Sequence, residues 1–337
     1  MVGLLQSTLL YVVPLMMVAL AGVFAERSGI INLALEGIMV MGAFFCAIVM
    51  RSIQQSGIFG ELHQLSIIVG MLISGIAGGA FSLLLGYAAI KWKADQTITG
   101  TALNMMAPAI VLLVANLVFQ SNRIGLVMDA PSWGMINLID KSATGFFADL
   151  GRIFFNKTYI TTYICIAIFV VMSIVLYKTK FGLRLRACGE HPQAADSVGI
   201  NVAKMRYLGT MISGILAGIG GYVYSFTIDN GGSTGAVSGL GFLSLAIMIF
   251  GNWKPLYIAI VSVFFGLLQC VAAKYGTLDI NGDGICALKE LIDNNPQLST
   301  ALYKIIPYVA TLIVLAFTSK KSRAPKAEGI PYDKGQR

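Results

Sequence analysis

Apolar residues run in long blocks along the chain, at about 4–24, 30–50, 65–90, 100–119, 158–177, 202–225, 236–250, 255–274 and 301–318. A block of about 20 apolar residues matches the roughly 30 Å hydrocarbon core of a bilayer, so the pattern predicts about nine membrane-spanning helices (8–10), the seventh being short. The first block, MVGLLQSTLLYVVPLMMVALAGVFA, carries neither a basic leader nor a small-residue cleavage site and is expected to stay as a span. The blocks are interrupted by one long basic stretch between clearly apolar neighbours, KTKFGLRLRACGEHPQAADSVGIN at 178–201. Within it Pro192 suits a first helical turn, Glu190 suits the positive end of a helix and Gly199 suits a stop, which predicts a helix of about two turns. Asn201 then offers a side-chain cap for a helix beginning at Val202. A short helix held crosswise between two spans is suited to docking; an ordinary basic loop is the plainer reading.

Composition turns this pattern into a class. With 56% hydrophobic and 12% charged residues and a mean hydropathy of +0.77, the chain has too little charge to cover a soluble globule of its size, and reads as an all-α polytopic membrane bundle. Placing 178–201 in the cytoplasm puts 16 of the 24 Lys and Arg on the inner side, with the amino terminus outside and the carboxyl terminus inside. The net charge of +8 is therefore an orientation signal, and no nucleic-acid partner is implied. The five cysteines show no C-x-x-C spacing and no disulfide framework. The expected organisation is a transmembrane domain at 1–319 and an irregular, solvated cytoplasmic tail at 320–337 containing Pro325 and Pro331.

Four stretches carry candidate chemistry. Small residues Gly209, Ser213, Ala217 and Gly221, with Gly214 and Gly218 alongside, and Gly75 with Gly79, predict close helix contacts. Glu26, Arg27, Asn32 and Glu36 place polar groups at a helix junction and into the second span, with Asn104 a further polar group in the fourth. Such groups are expensive in a membrane, and are expected either to line a translocation pathway or to pair together. The outer loop DINGDGICALKE at 279–290 matches a twelve-residue calcium loop, with Asp279, Asn281, Asp283, the Ile285 carbonyl and Glu290 as ligands to a structural calcium ion, or is simply a turn-rich loop. The chain lacks G-x-x-x-x-G-K-S/T, H-E-x-x-H and G-x-S-x-G, so it is not expected to be an enzyme.

Six stretches in order give a family resemblance: ERSGIINLALEG (26–37), KADQTITGTALN (93–104), FGLRLRACGEHPQAADSVGIN (181–201), SGILAGIGG (213–221), IFGNWKPL (249–256) and APKAEGIPYDKG (324–335). Together they resemble the permease subunits of bacterial ABC importers, in the nucleoside-uptake branch related to ribose and branched-chain amino acid permeases. The resemblance implies that 187–199 is the coupling helix that seats on the ATPase, with Gly189, Glu190, Pro192, Ala195, Asp196 and Gly199 in that role. It also implies the partners: a second, related permease, an ABC ATPase with two nucleotide-binding halves that holds ATP and Mg, and an extracytoplasmic substrate-binding lipoprotein. This chain itself would bind no cofactor and would lie in the bacterial cytoplasmic (inner) membrane. The calcium-like loop departs from the family pattern.

The resulting expectation is alternating access in an ATP-driven importer, with purine nucleosides as the favoured cargo. The alternatives are a sugar or branched-chain amino acid ABC permease, or an ion-coupled secondary transporter in which Glu36 serves ion coupling.

Overall fold

A computed structural model describes residues 2–57, 63–126, 130–137, 151, 155–274, 305, 307, 309, 310, 312, 313 and 323–333. The helices are α1 (Val2–Glu26), α2 (Leu35–Ser56), α3 (His63–Ile90), α4 (Gln96–Phe119), α5 (Ile160–Lys178), α6 (Lys180–Glu190), α7 (Pro192–Ser197), α8 (Val202–Thr227), α9 (Leu240–Phe250) and α10 (Pro255–Lys274). A small antiparallel pair, β1 (Met135–Asn137) with β2 (Asn156–Tyr159), is the only sheet among the described residues.

Seven of these helices (α1 to α5, α8 and α10) are long and apolar enough to cross a membrane. The expected seventh span at 236–250 is different. Its helix, α9, has 11 residues and at 1.5 Å per residue reaches only about 16 Å, half of a bilayer core. The rest of that path is irregular chain: Ser233 pairs with Ile124 at one end of the bundle, and Gly235 packs against the Pro108 carbonyl midway along α4. The second span also begins later than its apolar pattern suggests, because residues 27–34 form a turn before α2. Most of the ninth expected span, and the whole calcium-like loop, lie outside the described residues.

α8 is the axis of the bundle, buried along nearly all of its length against α1, α2 and α3. Its glycines permit this. A methyl group on Gly214 would lie 2.5 Å from the Gly78 carbonyl oxygen, and one on Gly221 would lie 2.1 Å from that of Met39, so neither position accepts a side chain. Ser82 Oγ donates across the α3–α8 contact to the Thr210 carbonyl at 3.0 Å. α4, α5 and α10 are peripheral and carry exposed apolar side chains such as Met105, Leu117, Val171 and Ile260, the surface expected of a chain that faces lipid or another membrane subunit.

α1 carries the chain through about 38 Å of helix to a polar face built by the 27–34 turn, α6, α7 and the tail. The tail departs from the solvated segment its composition suggests. Residues 323–333 form no helix, yet fold back onto the bundle: Ala327 N–H donates to the Gly189 carbonyl at 2.9 Å and Gly329 N–H to that of Gly29 at 3.2 Å. Pro325 and Ala327 are buried. The tail's small and apolar residues therefore make it part of this face.

Candidate functional site

The polar face starts from a helix that charge alone disguised. Residues 180–190 are basic, but Gly182, Leu185, Cys188 and Gly189 recur at helical spacing and are buried as one stripe. Thr179 caps the element by accepting from Gly182 N–H at 3.2 Å. Burial also pushes the Cys188 thiol up to about 11, with the Arg206 guanidinium pulling it down. α6 therefore lies along the face as an amphipathic element and delivers the chain to α7.

α7 has Pro192 at its start, as its sequence indicates, and Gly199 follows it at φ +83°, a conformation that favours glycine. Asn201 Oδ1 accepts from Lys204 N–H at 2.9 Å, capping α8 and fixing the joint between the short helix and the bundle axis. Glu190 belongs to the preceding helix: it is the last residue of α6 and pairs with Arg27 at 3.2 Å, tying α6 to the end of α1.

The orientation of α7 separates two kinds of residue. Pro192 and Ala195 are buried against the bundle, and Gly189 sits so close to the 27–29 turn that a methyl group there would lie 2.4 Å from the Arg27 carbonyl oxygen. Asp196 is half-buried. The outward side instead presents Gln193, Ala194, Ser197 and Val198, the last 74% exposed. Sequence reasoning missed these four. The one available signal was Val198, a β-branched apolar residue at the end of a polar stretch.

The tail closes the face from the other side. Arg206, 2% exposed, donates from Nη1 to the Ile330 carbonyl at 2.9 Å, and its Nε and Nη2 have no hydrogen-bond partner among the described residues. Glu328 brings a carboxyl group to Glu26, whose own carboxylate accepts from Trp253 Nε1. Trp253 and Asn252 both adopt left-handed backbone at the α9–α10 turn. That turn is held from three sides, by Trp253 Nε1 on Glu26, by the Tyr177 hydroxyl donating to the Trp253 carbonyl, and by Arg323 N–H donating to Asn252 Oδ1 at 3.1 Å.

The five polar residues singled out near the second and fourth spans do not form one cluster; each secures a helix break. Asn32 Nδ2 donates to Ser213 Oγ at 2.9 Å while its Oδ1 accepts from Ala34 N–H, joining the turn to α8. Asn104 accepts from Gly37 N–H at 2.8 Å and donates to the Leu33 carbonyl at 2.7 Å, joining α4 to the start of α2. Glu36 caps α9 from across the bundle: its carboxylate accepts from Gly239, Gly241 and Phe242 N–H at 3.0, 2.7 and 3.3 Å. Three free N–H groups and the positive end of a half-span helix thus meet one carboxylate. Glu26 and Arg27 join the end of α1 to Trp253 and Glu190. Among the described residues no group of three or more His, Cys, Asp or Glu is placed to hold a metal.

Residues 4–315 match a protein family described as the permease component of branched-chain amino acid transport systems. The chain is 38% identical to the guanosine ABC transporter permease protein NupQ of Bacillus subtilis, over 99% of its own length and 97% of the relative's. It is 37% identical, over the same shares of both chains, to the nucleoside ABC transporter permease protein NupC of Lactococcus lactis subsp. cremoris. NupB of the same organism, also a nucleoside ABC transporter permease protein, is 26% identical over 96% of this chain and 84% of its own. No solved structure matches.

Proposed function

This chain belongs to the family of permease components of branched-chain amino acid transport systems, as a multi-pass membrane transport subunit and not an enzyme, and on that premise we propose that it imports nucleosides, purine nucleosides foremost. The observation that carries the substrate class is the near full-length similarity to two permeases named for guanosine and nucleosides, at 38% and 37% identity. In this reading the polar face is cytoplasmic, the amino terminus lies outside, and the protein sits in a bacterial inner membrane. Its partners are a second permease, an ATPase with two nucleotide-binding halves carrying ATP and Mg, and a binding lipoprotein outside.

The coupling role falls to α7. A two-turn helix wedged crosswise by buried Pro192 and Ala195, with Val198 projecting, offers a partner an apolar knob on a polar surface. Asn201 links that knob to α8, and α8 reaches the centre of the bundle. Closure of the ATPase halves then moves α7 and rocks the bundle between outward and inward access. Glu26, Arg27, Asn32, Glu36 and Asn104 serve as the joints that hold the broken helices during that motion.

The test is purification of the complex from native membranes, followed by reconstitution in vesicles. Wild type is expected to bring a second permease and an ATPase with phosphate loops, and to drive ATP-dependent guanosine uptake that unlabelled ribose or leucine does not suppress. Val198→Asp is expected to insert normally but to lose the ATPase. Uptake driven by an ion gradient without an ATPase would overturn the importer reading, and suppression by ribose or leucine would move the substrate to sugars or branched-chain amino acids.

A further inference from the structure

Beside α7 the polar face encloses a cavity of about 870 Å3 lined by Arg27, Glu190, Asn252, Lys254, Arg323, Ala324 and Lys326. Four cations and one carboxylate surround it, and that carboxylate is already paired with Arg27. Lys254, Arg323 and Lys326 make no ion pair among the described residues. Lys254 lies above the Tyr257 ring, at 5.5 Å from its centroid.

The positive rim is held in place. Arg323 is fixed by its backbone bond to Asn252, and Lys326 stands between buried Pro325 and Ala327, whose N–H is bonded to Gly189. A tail free in solvent would lose entropy on presenting these charges to a partner, and this one has already lost it on folding. The cavity also lies close to α7 along the chain, because Glu190, which lines it, is the last residue of α6 and Pro192 opens α7 two positions on.

We propose that this basic bowl is a second contact for the partner ATPase, receiving an acidic segment of that subunit while α7 seats beside it. The inference rests on α7 being the docking helix. It assigns to the tail a function beyond covering the bundle: residues 323–327 complete half of the docking surface, and Arg323 and Lys326 set its electrostatic match.

The test uses the whole permease complex in nanodiscs of zwitterionic lipid, with the ATPase that co-purifies with it stripped and titrated back at several salt concentrations. Arg323→Glu with Lys326→Glu, both exposed positions, is expected to weaken ATPase binding by about tenfold and to flatten its salt dependence, with thermal stability unchanged. Affinity and salt slope equal to wild type would overturn the proposal. The same result would follow if the charge reversal altered only binding to vesicles of anionic lipid, which would assign the bowl to headgroups. Val198→Asp is titrated in parallel: normal ATPase binding by that variant removes the underlying docking reading, whereas its loss alongside an unaffected charge-reversal variant removes the bowl alone.

Discussion

The carboxyl group of Glu328 faces Glu26 at the end of α1, with Arg27 and Trp253 around them. Burial pushes Glu328 up to about 7, while Arg27 and a hydrogen bond shared with Glu26 pull it down. A carboxyl group whose affinity for a proton is raised in the docked tail binds that proton more weakly once the tail is released. Docking is therefore most favourable at low pH, weakens as pH rises from about 4.5 to about 7, and is level above that. Amide hydrogen exchange across 323–333, corrected for its intrinsic pH dependence, is expected to be less protected at about pH 8 than at about pH 6. Glu328→Gln is expected to hold the higher protection at both. A wild-type pH profile as flat as the variant's would show that this pair does not govern the tail. Glu328 was visible in the sequence only as one charge in a tail that looked solvated, because its partner lies some 300 positions away.

Among the elements, α9 depends most on a single side chain. An 11-residue helix starting inside the bundle leaves its first N–H groups without partners, and Glu36 meets three of them. Glu36→Ala is expected to cost roughly 2–4 kcal/mol, the range for charge-assisted bonds whose donors stay buried, and Glu36→Gln less because one oxygen still accepts. Thermal unfolding in detergent checks both, and equal midpoints for wild type and Glu36→Ala would show that the cap is not needed. The sequence made Glu36 conspicuous as a charge inside an apolar block, but its pairing runs across more than 200 residues, and periodicity cannot see that. The same limit explains the seventh apolar block. Hydropathy measures how apolar a segment is, whereas its shape follows from Gly235, Ser238 and Gly239 in left-handed backbone, which permit the chain to enter the bundle before helix begins. α6 was masked the other way, by basic residues on its exposed side. The cap at Asn201 and the start at Pro192 were legible because each acts within three or four residues.

At the scale of the whole molecule, the proposed docking role of α7 makes its joint with α8 the place where ATPase motion would enter the bundle. α7 is attached to the bundle through buried Pro192 and Ala195, and passes directly into α8 through the Asn201 cap. α8 is packed too closely against α2 and α3 to bend locally, since Gly214, Gly218 and Gly221 bring it onto neighbouring backbones. A push on α7 therefore moves α8 as a body, with α1, α2 and α3 following, provided the cap keeps the first turn of α8 intact. Removing the cap is expected to cost about 1 kcal/mol, too little to unfold a bundle of this size but enough to fray the one turn through which force passes. Asn201→Ala is thus expected to assemble with the ATPase and hydrolyse ATP, while moving fewer nucleoside molecules per ATP; Asn201→Asp, which also caps, is expected to restore the ratio. Vesicles loaded with ATP and supplied with binding protein give both quantities from one sample. A ratio equal to wild type in Asn201→Ala would mean that force leaves α7 by another route. One contact available for that is Gly189, at the end of α6, against the 27–29 turn, so Gly189→Ala would then be expected to uncouple.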